Sequence, residues 1–304
     1  MVTDIRYARP DDEPALRGIW DVCFPDDAAY AGTYFRNIYA PDKTLCVTED
    51  DAPVAMLLRL ARTLELDVAA LPVHYLYAVS TRPECRGRGY ATDLLEQSLF
   101  EAHLAGAAAL VLILQTPKVY KLYEGVDFAP VSLWREESYS GAVTNSGTNI
   151  DTSPAAGLRA ANECDIPALT RLYNNRANPK IRRGDADWRA ILGENEVYVG
   201  AERYAVTWDG RLRESSDGAP VRAAFNEATV IGCLRIVSVK NTLPLTGLSG
   251  VVAVEDEWCP WNQGCWKIAD GRAVRTDDAP ELTLTIRELA SRLAGDAYFH
   301  LMHN

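Results

Sequence analysis

Residues 74–128 read HYLYAVSTRPECRGRGYATDLLEQSLFEAHLAGAAALVLILQTPKVYKLYEGVDF, and the order of runs and breakers in this stretch decides the fold. A short apolar run at 75–79 reads as a strand that ends in a Pro-containing turn. Arg86, Gly87, Arg88, Gly89, Tyr90 and Ala91 follow, and then a helix-period segment with Leu94, Leu95, Leu99 and Ala102 on one face, ending near Gly106. Residues 110–114 are apolar without alternation, which suits a strand buried on both faces. The pattern is strand, glycine-bearing basic loop, helix, strand. A helix that starts after glycines aims free backbone N–H groups and a positive dipole end at whatever sits there, which suits a phosphate or pyrophosphate. Arg86 and Arg88 add charge, while Gly87 and Gly89 allow close backbone approach. Alone, the string R-x-x-G-x-A would read as a solvated basic turn; between a strand and a helix it points to function.

The 304 residues suffice for two or three domains. A net charge of −11 argues against nucleic acid as a partner and weakly favours a cationic, amine-bearing substrate. The longest apolar run, 107–114, is far too short to span a bilayer, and the opening MVTDIRYARPDDE has no signal core, so a cytoplasmic protein is expected. The seven cysteines show no C-x-x-C; Cys259 and Cys265 read as a buried thiol pair rather than a zinc site. His300 and His303 stand at helical spacing, but a solvated tail fits them better than a metal site, and no metal is expected. The chain has neither G-x-x-x-x-G-K-[ST] nor a complete G-x-G-x-x-G fingerprint, which argues against a nucleotide-binding fold of another kind.

Working outward, residues 4–9 form a short strand, Asp11 and Asp12 a helix cap, and Leu16, Ile19, Trp20 and Cys23 a helical stripe broken at Pro25. A second helix is expected over 27–39, strands over 44–48 and 54–60, and a further strand through 63–68. Pro117 opens a short helix at 119–124, and 128–139 alternates as strand. A Ser/Thr/Gly/Asn-rich tract follows and reads as a linker. Residues 158–173 (LRAANECDIPALTRLY) then match 5–20 (IRYARPDDEPALRGIW) without a gap: Arg6 with Arg159, Asp12 with Asp165, and Pro14 with Pro167. This indicates a duplicated domain whose second copy lacks the R-x-x-G-x-A string. From about 229 a third pattern begins, with short strands, a helix over 286–293, and Trp258, Trp261 and Trp266 as core or interface filler.

The first part resembles the GNAT superfamily of N-acetyltransferases. Arg86-Gly87-Arg88-Gly89-Tyr90-Ala91 resembles its acyl-CoA signature R/Q-x-x-G-x-G/A, and residues 122–128, LYEGVDF, resemble its late Y-x-x-x-G-F. Asp127 departs from the family's usual glycine, so the turn before Phe128 is expected to differ. The whole chain resembles the narrower Eis (enhanced intracellular survival) family, the terminal part through CPWNQGCWKIADGRAVRTDDAPELTLTIRELASRLAG. The resemblance implies an α/β (α+β) GNAT fold with a central mixed sheet. It places a catalytic acetyl-CoA-binding domain at 1–140, a linker at 141–156, a shortened degenerate GNAT-like domain at 157–228 and a sterol-carrier-protein-like domain at 229–304.

The implied function is transfer of an acetyl group from acetyl-CoA to a primary amine of a cationic small molecule, such as an aminoglycoside, polyamine or lysine-like amine. Backbone N–H groups around Arg86, Gly87, Arg88, Gly89, Tyr90, Ala91 and Thr92 would hold the pyrophosphate, and the strand at Val79, Ser80 and Thr81 would hold the pantetheine and an oxyanion donor. Tyr123 matches the family's general acid, with Tyr120 a competitor three residues earlier. By the same resemblance, the C-terminal carboxylate of Asn304 is the candidate base, with a water chain or an acidic residue of the first domain as the alternative. Asp26, Asp27 and Glu65 are candidate holders of a cation, though a solvated face suits them better. The resemblance also implies a homo-oligomer, with a hexamer as the form it suggests. The alternative is a non-catalytic acyl-CoA-binding, regulatory or lipid-carrier protein.

Overall fold

A computed structural model describes residues 2–24, 28–114, 116–140, 157–176, 179–208, 211–216, 219–228 and 230–295. The first part runs β1 (Thr3–Tyr7), α1 (Glu13–Cys23), α2 (Ala28–Asn37), β2 (Thr44–Glu49), β3 (Ala52–Glu65), β4 (Ala70–Thr81), α3 (Tyr90–Leu104), β5 (Ala109–Ile113), α4 (Tyr120–Glu124) and β6 (Ala129–Ser140). The middle part holds β7 (Arg159–Ala160), α5 (Ile166–Asn174), β8 (Lys180–Ile181), α6 (Asp185–Glu194), β9 (Glu196–Val199), β10 (Tyr204–Trp208), β11 (Arg211–Ser215) and β12 (Ala219–Arg222). The rest is β13 (Val230–Ile236), α7 (Val239–Thr242), β14 (Gly250–Glu255), β15 (Gly264–Ala269), β16 (Arg272–Arg275), β17 (Leu282–Thr285) and α8 (Ile286–Ala294). The expected linker falls outside the described residues.

A nine-stranded mixed sheet runs β1-β2-β3-β4-β5-β13-β6-β12, with β8 on the far end of β3. Its strands alternate between two cores. Val111 of β5 joins Met56, Leu58 and Tyr75 beneath α1 and α2, whereas Leu110 and Leu112 join Leu57, Leu76 and the buried face of α3. Burial on both faces explains why β5 reads as an unbroken apolar run. The strand expected to stop at 60 and resume at 63 is one continuous β3 of 14 residues.

One expectation about the chain's division is corrected. Val230 was expected to open the terminal part, yet β13 lies inside the first sheet. It pairs antiparallel with β5 (Gly232 opposite Ile113) and with β6 (Ile231 opposite Leu133). The middle part is thus spliced in before the strand that closes the first sheet. Strand pairing of this kind is non-local, and periodicity carries no trace of it.

The repeated sequence has repeated geometry. Arg6 pairs with Asp12 at 2.6 Å and Arg159 with Asp165 at 2.6 Å, and each aspartate also accepts a backbone N–H three residues back, from Arg9 and Asn162. Both helices that follow bury their equivalent leucines, Leu16 and Leu169. Four strands, β11-β10-β9-β7, form the middle sheet, and four more, β16-β15-β14-β17, the terminal one. No helix among the described residues is long and apolar enough to cross a membrane.

Candidate active site

The two parallel strands β4 and β5 pair only at Val73–Ala109, His74–Leu110 and Tyr75–Val111. Beyond Tyr75 they part, because β4 stays with β3 as far as Thr81 whereas β5 follows β13. A bulge sharpens the divergence. Leu58 faces Tyr77 and Met56 faces Ser80, so one β3 residue opposes two on β4, and Ala78 takes φ 53°. A non-glycine residue held in the left-handed region costs about 1 kcal/mol or more, so the surrounding pairing must impose it. A wedge at the carboxyl ends of parallel strands is where open α/β sheets take their ligands.

The basic loop lies at the end of this wedge. Gly87 (φ 76°) and Gly89 (φ 89°) turn the chain into α3, and no side chain caps that helix at Gly89. Its first-turn N–H groups are therefore available to an anion. The arginines behave differently from the sequence expectation. Arg88 donates to Glu49 Oε1 (2.6 Å) and to the Glu84 carbonyl (3.2 Å), and the Tyr90 hydroxyl donates to the same Glu49 oxygen (2.6 Å). Arg86 donates to the Thr81 carbonyl (3.2 Å) and approaches Cys23 Sγ (3.7 Å). Both guanidiniums brace the loop against β2, β4 and α1, which leaves the backbone N–H groups as its anion donors. Ser80 is buried and donates to the Ala78 carbonyl at 3.1 Å, securing the bulge; Val79 is half-buried.

Tyr123 lies on α4, in the same buried cluster as Leu112 of β5. It is 8 % exposed and meets Phe128 edge-on at 5.7 Å. Burial, with Cys233 adding to it, pushes its phenol well above the usual tyrosine range, so it stays protonated and can donate. Tyr75, the last β4 residue paired with β5, lies near enough to Tyr123 to feel its charge, and burial pushes its phenol up as well. The two tyrosines differ in their hydroxyl partners. The Tyr120 hydroxyl is engaged, donating to the Phe128 carbonyl (3.1 Å) and accepting from Arg287 (3.0 Å), whereas the Tyr123 hydroxyl has no hydrogen-bond partner among the described residues. Asp127 adopts φ 61°, which glycine would take without strain.

Other candidates fare differently. Asn304, Asp26 and Asp27 lie outside the described residues. Glu65 is neither a solvated carboxylate nor a free cation holder, because it pairs with Lys180 (3.0 Å) and Arg182 and so ties β3 to the middle part. Cys259 is buried but Cys265 only partly so, and both are free thiols. The terminal tryptophans are interface filler: Trp261 donates to the Val237 carbonyl and stacks on His103 of α3 at 4.2 Å, and Trp266 donates to the Asn262 carbonyl.

Sequence reasoning missed a group beneath α4. Arg235 of β13 donates to the carbonyls of Val126 (2.8 Å) and Ile236 (2.7 Å) and forms a two-pronged pair with Asp256 (2.5 and 3.1 Å), both side chains fully buried. An arginine inside the apolar run VIGCLRIV was the available signal, since buried charge needs a partner. Glu49, the brace of the loop, had no local signal at all.

This arrangement matches a known domain. Residues 4–130 match the acetyltransferase (GNAT) domain family, and residues 246–303 match the sterol carrier protein domain family. The chain therefore carries a GNAT domain and has the mixed α/β GNAT fold, with a sterol-carrier-like segment after it. At full length it is similar to two GCN5-related N-acetyltransferases: that of Anabaena variabilis (TM-score 0.70, 18 % identity, 95 % of this chain and 89 % of that one) and that of Kribbella flavida (0.72, 15 %, 95 % and 88 %). It is also similar to Eis1 of Mycobacterium abscessus (0.69, 15 %, 96 % and 90 %). At these identities the likeness is one of fold. An uncharacterized N-acetyltransferase of Streptomyces avermitilis is 43 % identical over 49 residues, a match that spans 15 % of this chain and only 12 % of that protein.

Proposed function

We propose that the chain is an acetyl-CoA-dependent N-acetyltransferase of the Eis type that modifies a primary amine on a cationic small molecule by direct attack. The observation that supports it most is the parting of β4 and β5 beyond Tyr75, with the uncapped N-terminus of α3 in the loop that follows β4 and the buried Tyr123 phenol close to Tyr75. Acetyl-CoA supplies the activated acyl carbon. Backbone N–H groups from Gly87 to Thr92 would hold its pyrophosphate, the Arg86 N–H being engaged by the Pro83 carbonyl, and the β4 edge at Val79, Ser80 and Thr81 would hold its pantetheine arm and the developing oxyanion. Tyr123 gives its proton to the departing thiolate. The α-carboxylate of Asn304 takes the proton released by the attacking ammonium. By the family resemblance of the whole chain, the working form is a homo-oligomer.

The test is CoA release, followed with a thiol reagent, against a panel of an aminoglycoside, a polyamine and free lysine. Tyr123→Phe is expected to lower kcat about 10²- to 10³-fold while the Kd for acetyl-CoA stays within about twofold. An unchanged kcat removes Tyr123 as the acid. Binding of acetyl-CoA without CoA release from any amine favours the non-catalytic acyl-CoA-binding alternative.

A further inference from the structure

The short helix bearing Tyr123 cannot hold itself in place. α4 has only five residues, fewer than an isolated helix needs, and it runs directly into the strained turn at Asp127. Its position must come from outside: Tyr123 packs in the core with Val126 and Phe128, and two polar ties add to that packing. One is the buried Arg235, which fixes the Val126 carbonyl after the helix. The other comes from the sterol-carrier-like segment: Arg287 on α8 donates to the Tyr120 hydroxyl at 3.0 Å and to Glu124 Oε1 at 3.1 Å. Tyr120 and Glu124 flank Tyr123, and Tyr120 passes the tie on by donating to the Phe128 carbonyl.

Arg287 sits where an arginine is otherwise disfavoured. It is the second residue of α8, whose N-terminus is closed by a capping box between Thr285 and Glu288. A cation in the first turn faces the positive end of the helix dipole, an opposed interaction of about 0.3–1 kcal/mol. Nor does Arg287 fill the core, since its side chain is 36 % exposed. Its contacts with α4 are what this placement achieves. The fully buried apolar face of α8, with Leu289 and Ala290, seats the helix firmly on the core, so the guanidinium projects from a rigid base.

We propose that Arg287 is a positioning residue for the Tyr123 phenol, so that the sterol-carrier-like segment serves the acetyl-transfer site of the first domain. This rests on the reading of Tyr123 as the general acid. In this role Arg287 acts through Tyr120 and Glu124 rather than on the reacting atoms. It sets the distance over which Tyr123 delivers its proton, and small displacements of such a group are expensive in rate.

The experiment is a double-mutant cycle on the full chain with Arg287→Met, Tyr123→Phe and the pair, assayed by CoA release with the most active amine of the panel above. Arg287→Met is expected to lower kcat about tenfold, with the Kd for acetyl-CoA within about twofold of the starting value. Glu124→Gln, which leaves the core untouched, should lower kcat in the same direction by about threefold. The double variant should be no slower than Tyr123→Phe alone, because a misplaced phenol and a missing one are the same loss. If Tyr123→Phe is slow while Arg287→Met and Glu124→Gln both stay within twofold of the starting kcat, the positioning role is wrong. Multiplying effects in the double variant overturn it as well, since Arg287 would then act independently of Tyr123. If Tyr123→Phe itself retains full kcat, the assignment of the acid fails instead, whatever Arg287 does. Absence of CoA release from the unsubstituted protein sinks both.

Discussion

Removing the Arg235 side chain should damage this protein more than any surface change. The guanidinium makes five hydrogen bonds, two to main-chain carbonyls, two to Asp256 and one to Cys259 Sγ (3.8 Å), and neither partner of the ion pair is exposed. In Arg235→Met, Asp256 keeps three donors, the amides of Trp258 (3.2 Å) and Cys259 (3.0 Å) and the side-chain amide of Asn262 (2.9 Å), but loses its counter-charge. A buried charge stripped of its partner costs about 3–5 kcal/mol, and the two orphaned carbonyls belong within that range rather than on top of it. The retained amide donors place the expectation near the lower end, about 3 kcal/mol. Asp256→Asn in the same background removes the unpaired charge while keeping an acceptor for those amides, and should recover about 1–2 kcal/mol. The assay is urea denaturation, comparing midpoints at constant slope. A loss under 1 kcal/mol for Arg235→Met, or a double variant no more stable than the single, would refute the reasoning, because either means that water or a local shift has replaced the guanidinium.

Two further outcomes follow from single positions. Asp127→Gly should stabilise the protein by about 0.5–1 kcal/mol, since glycine takes φ 61° without strain and burial already pushes the Asp127 carboxyl up, so its charge is not welcome there; a lowered melting temperature would show that the carboxyl makes a contact worth more than the strain. His74 is held down to about 4 by burial and by Arg59, against an ordinary 6.5, so the unfolded chain binds its proton first and stability is lost as pH falls from about 6.5 towards 4. That shift corresponds to about 3 kcal/mol in full and about half of it after solvent screening of a partly buried ring. His74→Gln should therefore show a shallower fall in melting temperature between pH 7 and 4.5, and equal slopes would remove His74 from the account.

What could be read in the chain was what is decided locally. Gly87 and Gly89 mark positive-φ positions, the stripe from Leu94 to Ala102 marks the buried face of α3, and both lie within about twenty residues. The repeat at Arg159 and Asp165 was legible for the same reason, because its ion pair closes over six residues. What escaped depends on partners far along the chain. Arg86 and Arg88 looked like free charge because Cys23 and Glu49, which engage them, lie 63 and 39 residues away. Glu65 looked solvated because Arg182 is 117 residues on. Tyr120 and Tyr123 could not be told apart by spacing, and Arg287, which engages the Tyr120 hydroxyl, lies 167 residues further on.

The placement of β13 has a consequence for how the chain is made. β5 and β6 face each other across a gap that only residues 230–236 fill. During synthesis the first 140 residues leave the ribosome with two unsatisfied strand edges, and roughly ninety more must emerge before the closing strand arrives. At typical elongation rates of about 5–20 residues per second, that is an interval of about 5–20 seconds. Exposed strand edges are templates for pairing with other chains. The nascent protein thus passes through a window in which the acetyltransferase-like part is nearly complete yet adhesive. A fragment cut at the apparent end of that part, near residue 140, should be recovered as aggregate, while one extended past Ile236 should not.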